Sequence, residues 1–213
     1  MPDMWKRYEV KLDFTGRVMA GIPKHPDIIK SWLEARMPTF APPDAVPLEE
    51  LADEVALAVS AVATQENKVW CGFMGDESGI YVPGFHLKAH LKDAANTTKD
   101  FQKIKALKSK VADRVFVEED RLYFQQRGKK HVMTPDGYWE HAVHVMTMQG
   151  PRSALKRNDY VENPVIIAHL RVLEDNVVKE SVLRELFTYG SVRGFGSERG
   201  LGNGRYEFEL KAL

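Results

Sequence analysis

Six glycines fall within the fifteen residues from Gly190 to Gly204. They separate an amphipathic run, Lys179 to Phe187, from an alternating one, Arg205 to Leu210, in which Tyr206, Phe208 and Leu210 share a face. A chain that passes from helix to strand through so much glycine can adopt positive φ angles and lie close against a neighbour. The same freedom lets main-chain N–H groups converge on an anion. A tight crossover and a phosphate cradle are therefore both open readings. Two nucleotide motifs do not fit. Position 199 is arginine where a dinucleotide fingerprint needs its third glycine, and the loop runs helix to strand, the reverse of a Rossmann turn. No Gly-Lys-Ser/Thr follows, so it is not a Walker loop either. Arg193, Arg199 and Arg205 place cations among the glycines.

The N-terminal end mirrors this ending. Tyr8, Val10, Leu12 and Phe14 alternate with Glu9, Lys11 and Asp13, as in a half-buried strand. Pro26 and Asp27 open a short helix, and Leu48 to Ala63 repeats Leu51, Val55, Val59 and Val62 at helical spacing. Lys68 to Phe73 and Ile80 to Val82 read as short strands. After Pro83-Gly84 a helix is predicted over Leu87 to Ala95, with a second, lysine-rich one from Phe101 to Val111. Val115 to Val117 and Leu122 to Phe124 predict a hairpin; Tyr138 to Met148 and Val165 to Leu173 predict strands. The chain thus begins strand–helix and ends strand–helix–strand. That order predicts an α+β class: a ferredoxin-like or RRM-like antiparallel sheet with helices, forming one domain over 1–213 with an insertion at about 38–160.

Charge narrows the function classes. Thirty Lys/Arg balance thirty Asp/Glu, so the chain as a whole is no polycation, and any phosphate site must come from local clustering. Gly84 to His131 is such a cluster, with 12 basic against 6 acidic side chains. The one cysteine, Cys71, cannot form an internal disulfide or a cysteine zinc site and reads as a small buried residue. The first residues lack the apolar stretch of a signal peptide, and no run approaches a membrane span. A cytoplasmic setting, no membrane contact and no cofactor or metal are expected.

Two motifs carry a resemblance. Tyr189-Gly190 through Gly204-Arg205-Tyr206-Glu207 looks like the glycine-rich loop that ends RAMP-superfamily domains. Tyr81-Val82-Pro83-Gly84-Phe85-His86-Leu87-Lys88-Ala89-His90-Leu91-Lys92 resembles the Ile-Pro-Gly-Ser-Ser-Leu-Lys-Gly-Ala-Leu-Arg segment of crRNA-binding backbone subunits of CRISPR effector complexes. Val82, Pro83, Gly84, Leu87, Lys88 and Leu91 fall in register, and Lys92 takes the arginine position. Phe85 and His86 replace two serines and Ala89 replaces a glycine, as in a divergent member. The resemblance implies a guide-RNA-binding subunit that packs head-to-tail with copies of itself and with other effector-complex subunits. It implies that the Gly84 turn, His86, Lys88 and Lys92 meet single-stranded guide RNA, with the helix N-terminus as an anion site. Arg193, Arg199 and Arg205 of the glycine-rich loop join them. Gln149 to Asp159 resembles in position the protruding thumb of those subunits; its other reading is an exposed polar loop. There Arg152, Lys156 and Arg157 would meet phosphates. Phe85 and Phe195 are candidate stacking surfaces.

An enzyme reading rests on less. Some backbone subunits cut target RNA with an aspartate in the loop after the first strand, where Asp27 stands beside His25. A carboxylate there can bind a metal or align a 2′-hydroxyl, yet it is also an ordinary helix-start residue. His86 and His90 are four apart on a helix, but no acidic partner completes a zinc motif. A structural or assembly protein that keeps the fold without nucleic acid stays open as a third class.

Overall fold

The computed structural model describes residues 4–25, 29–30, 33–34, 47–60, 71–126, 130–147 and 150–213; for Leu48, 143–147 and 151–154 it describes the backbone alone. The strands are β1 (Trp5–Phe14), β2 (Arg17–Met19) and β3 (Ile22–Pro23), followed by helix α1 (Leu48–Ser60). Then come β4 (Cys71–Gly72), β5 (Met74–Asp76), β6 (Gly79–Pro83), helices α2 (Gly84–Gln102) and α3 (Leu107–Arg114), and β7 (Val115–Val117). The chain continues through β8 (Arg121–Tyr123), β9 (Gly137–Thr147), β10 (Gly150–Glu162), β11 (Val165–Leu173), helix α4 (Glu180–Arg193) and β12 (Tyr206–Ala212).

These elements divide into two compact units. The first comprises Met1–Val18, Tyr81–His131 and Glu162–Leu213; the second comprises Met19–Ile80 and Val132–Val161. Residues 81–131, inside the span read as an insertion, supply helices and a strand that the first unit needs to close its sheet.

The first unit is the predicted antiparallel sheet. Its strand order is β12-β1-β11-β7, and every pairing is antiparallel. Taking those four strands in chain order as 1, 2, 3 and 4, with β7 second and β11 third, the order is 4-1-3-2, that of a ferredoxin-like βαββαβ fold. The alternation of β1 explains its place at the centre. Tyr8, Val10, Leu12 and Phe14 all turn inward and are at most 2% exposed. Opposite them in register stand Ile166, Ala168 and Leu170 of β11, and Leu87 and Leu91 of α2 and Leu183, Leu186 and Phe187 of α4 are buried as well. Each side chain of this size removed from water contributes on the order of 1.5–3 kcal/mol, so register and face are strongly specified.

Two expectations fail in the first unit. Val115–Val117 and Arg121–Tyr123 do not form a hairpin with each other: β7 pairs with β11, and β8 pairs with β6 at Tyr81↔Tyr123. Neither three-residue run buries enough by pairing locally, and longer strands offer a better edge. The lysine-rich helix also starts later. α2 runs through Phe101 to Gln102, and the chain turns at Lys103 and Ala106, both with φ of 54°. The last helix runs past Phe187 to Arg193.

The second unit centres on β10. It pairs antiparallel with β9 from Gly150↔Thr147 to Tyr160↔Gly137, and parallel with β4 at Asn158↔Cys71. Residues 149–159, with an exposed loop as one reading, are therefore strand from Gly150 onward; Gln149 lies outside the described residues. The cross-strand partners of this segment are the alternating residues of β9, which satisfy its backbone. β3 pairs with β4, and Asn158 Nδ2 donates to the Ala20 carbonyl at 2.7 Å. Cys71 is half-buried, not fully buried. Among the described residues no helix is long and apolar enough to cross a membrane.

Candidate nucleic-acid interface

The two sequence motifs, a hundred residues apart, pack directly on each other. Gly190 lies in the last turn of α4, and a Cβ there would stand 2.5 Å from both His90 Nε2 of α2 and the Tyr206 hydroxyl of β12. Glycine is what lets helix, helix and strand converge. His90 is buried, its Nε2 is 2.9 Å from Tyr206 Oη, and its ring is edge-on to Phe195 at 5.5 Å. Burial, followed by the Arg199 charge, pushes the His90 imidazole down to about 4, while burial pushes the Tyr206 phenol up. His90 is therefore a neutral core histidine, not an RNA-facing or metal-ligating partner of His86.

The glycine-rich segment closes on itself. Gly194, Gly196, Gly202 and Gly204 have φ between 73° and 87°. A Cβ on Gly204 would stand 1.8 Å from the Phe195 carbonyl oxygen. Phe195 N–H donates to the Gly204 carbonyl at 2.8 Å, and Gly204 N–H donates to Arg17 at 2.7 Å. Phe195 is 2% exposed and packs on Phe14 at 6.0 Å. It is a core plug, which corrects its reading as a stacking surface: an aromatic this size gains more from the interior than from a base. Two of the loop arginines turn to a carboxylate of α2. Arg199 Nη1 lies 3.0 Å from Asp93 Oδ2 on α2, and Arg193 Nε lies 3.9 Å from the same oxygen. Arg205 remains exposed.

At the Pro83-Gly84 turn, a Cβ on Gly84 would stand 1.9 Å from the Glu119 carbonyl oxygen. The Gly84 N–H itself donates to Asp120 at 2.8 Å. Glycine is thus required by the protein's own backbone, and that amide is already used. Beyond the turn, α2 presents exposed Phe85, half-buried His86 and the pair Lys88 and Lys92. The Lys88 ammonium lies 4.2 Å from the centre of the Phe116 ring. Burial of its stem, and then the Lys92 charge, lower its pKa. Two ammonium groups that raise each other's energy gain by sharing an anion.

The open face of the sheet offers no equivalent. Its outward residues on β1 and β11 include Arg7, Glu9, Lys11, Asp13, Ile167, His169 and Arg171, with Trp5 held edge-on to Phe116 at 5.7 Å. RRM-type readers stack bases on sheet aromatics. Here the cations are spent on carboxylates: Arg7 and Arg171 both reach Glu118, at 2.7 and 3.0 Å, and Lys11 reaches Glu209 at 3.1 Å. The hydrogen bond from Arg7, joined by Arg171, lowers the Glu118 pKa. His169 Nδ1 sits 2.5 Å from Glu119.

In the second unit, Arg157 is 3% exposed, its guanidinium 3.3 Å from the centre of the Tyr138 ring and 3.7 Å from Glu140. That cross-strand sandwich takes it out of reach of a phosphate, a correction to its reading as a phosphate contact. Lys156 stands half-buried opposite His141, and Arg152 is described only as the backbone partner of Val145. His25 is half-buried; Asp27 lies outside the described residues. The sequence did not single out Asp93, and nothing local marks it; its role comes from Arg199, 106 residues later.

No protein-family model and no curated protein matches the sequence. Among solved structures, the chain is similar to a chain in the cryo-EM structure of a type III-B Cmr-β complex bound to cognate target RNA. The TM-score is 0.48 at 9% identity, over 99% of this chain and 61% of that one. It is also similar to a chain of a type IV-B CRISPR complex, with a TM-score of 0.41 at 8% identity, over 97% and 90% of the two chains. The chain spans less than two thirds of the length of the first.

Proposed function

We propose that this protein is a guide-RNA-binding subunit of a CRISPR-type ribonucleoprotein, holding single-stranded RNA by its phosphates along the exposed side of α2. The observation that carries the reading is the Lys88–Lys92 pair. It occupies the positions at which the sequence resembles the RNA-binding segment of RAMP backbone subunits. Among the described residues it is engaged in no ion pair. The glycine-rich crossover, the second element of that resemblance, supports α2 from beneath through His90, Phe195 and Asp93. Phe85, 54% exposed, is the stacking surface beside the pair. Recognition of this kind reads charge and shape rather than sequence. In the assembly, copies would pack head-to-tail with further effector subunits, in the cytoplasm; heterologous contacts of that kind build open arrays.

The test is fluorescence anisotropy with a labelled 20-nucleotide uridine RNA over a salt series. Wild type is expected to bind with a steep salt dependence. Lys88→Gln/Lys92→Gln is expected to flatten the log–log slope by about 1.4, from about 0.7 per lost phosphate contact. Absent binding at low salt would remove the reading.

A second reading has one specific observation behind it. The loop glycines and two of its arginines are used by the protein itself, as an assembly protein without nucleic acid would also use them. The absorbance ratio of the purified protein separates the two: co-purifying RNA favours the first, and its absence the second.

A further inference from the structure

Most arginines of this protein with described partners are held by carboxylates: Arg7 and Arg171 by Glu118, Arg17 by Glu162, Arg114 by Asp175, Arg184 by Glu180 and Arg199 by Asp93. The lysines of α2 and the turn after it behave differently. Among the described residues, Lys88, Lys92, Lys99, Lys103 and Lys105 take part in no ion pair. The chain has zero net charge and thirty carboxylates, yet no described carboxylate forms an ion pair with these five cations.

Their spacing aligns them. At about 100° per residue, Lys88, Lys92 and Lys99 fall within about 40° of arc on one side of α2, and Lys103 follows as the residue that caps its C-terminal end. Phe85 falls on the same stripe, one turn before Lys88. At about 1.5 Å per residue the stripe from Lys88 to Lys99 extends about 16 Å. At its far end lies an open cleft of about 390 Å³ lined by Lys99, Asp100, Lys103, Ile104, Lys105 and Ala106. Lys103 and Ala106, neither of them glycine, both have φ of 54° in its wall. From Lys99 to Lys110 there are five lysines against one carboxylate, Asp100. Lysines in the last turn of a helix also favour its dipole. That effect fades within a turn, and it does not account for Lys105 or for the stripe's alignment with Lys88 and Lys92.

We infer that the anion track continues along the whole of α2, from Phe85 to the Lys99–Lys103–Lys105 cleft, and that it takes one continuous single-stranded nucleic acid whose phosphates follow the lysines. The inference rests on the proposed RNA reading and assigns the cleft to it. The occupant is a polyanion longer than the Lys88–Lys92 pair can hold, running along the helix axis rather than across it. Lysines are point charges without a fork geometry, so the track sets affinity and path, not sequence.

The experiment uses the whole protein, the 20-nucleotide uridine RNA and a salt series, with a thermal melt to confirm that each variant is folded. Lys99→Gln/Lys103→Gln/Lys105→Gln is expected to lower the log–log salt slope by about 2, at about 0.7 per contact, and Lys→Arg at the same positions is expected to restore it. An unchanged slope in this variant, with a lowered slope in Lys88→Gln/Lys92→Gln, overturns the extended track and leaves the proposed function standing. No binding by wild type instead overturns the proposed function. A variant that keeps RNA binding but loses wild-type affinity for a polyglutamate peptide also overturns the inference, assigning the cleft to an acidic protein segment.

Discussion

Acid should loosen the junction between α2 and the glycine-rich crossover, and one proton should do it. His90 is 5% exposed, and its imidazole is pushed down from an ordinary 6.5 to about 4. Burial dominates; Arg199 and Arg193 add to it, and Asp93 opposes it. In the unfolded chain the same ring takes up a proton near 6.5. The folded-state value is depressed, so the neutral ring contributes stability that is fully present above pH 6.5. That contribution is lost as pH falls from 6.5 towards 4, and the loss levels off below. A difference of about 2.5 units at about 1.4 kcal/mol each amounts to about 3 kcal/mol, a large share of a typical domain's stability. The assay is urea unfolding at pH values between 8 and 3.5, comparing wild type with His90→Gln. Glutamine can still bond the Tyr206 hydroxyl but does not titrate. Carboxylates contribute equally to both curves, so their difference isolates His90. It should be flat above pH 6.5 and change by about 1.4 kcal/mol per pH unit below. Parallel curves from pH 6.5 to 4 would refute the reasoning, as would a ring titration near 6.5 in the folded protein followed by NMR.

Other outcomes follow from the same packing. Gly190→Ala, which would gain up to about 1 kcal/mol in an open helix, is expected to destabilise by about 1–3 kcal/mol because its Cβ meets His90 and Tyr206 at 2.5 Å. For a chain of 213 residues that lowers Tm by roughly 2–4 °C per kcal/mol, whereas Gly200→Ala, with nothing within 4 Å, should leave the melt nearly unchanged. Phe195→Ala should cost about 3–5 kcal/mol by the cavity it leaves. Phe85→Ala should leave the melt within about 0.5 kcal/mol of wild type and weaken RNA binding by about 1–3 kcal/mol, read as anisotropy.

Much of the fold is written locally. The alternation of Tyr8, Val10, Leu12 and Phe14 determines a strand and its buried face, because a strand's period is two whatever it pairs with. The run Val165 to Leu173 and the amphipathic stretch after Lys179 do the same. So does the glycine content of the crossover, since only glycine holds φ near 80° at Gly194 and Gly204 at no steric cost. The order of these elements then leaves few sheets to choose from.

Partnership is written elsewhere. Val115 to Val117 and Leu122 to Phe124 look like a hairpin because nothing local distinguishes a near neighbour from β11 or β6, and pairing energy depends on the whole edge. Phe195 and Arg157 read as exposed because glycine and charge surround them in sequence. In space, Phe14 and His90 surround the one, and Tyr138 and Glu140 the other. The glycine-rich loop shows most plainly where local information ends. Its conformation is determined by its own residues. Whether Arg193 and Arg199 face a phosphate or the protein was decided by Asp93, a hundred residues earlier. A charge takes the nearest counter-charge that the fold supplies, and that distance exists only in three dimensions.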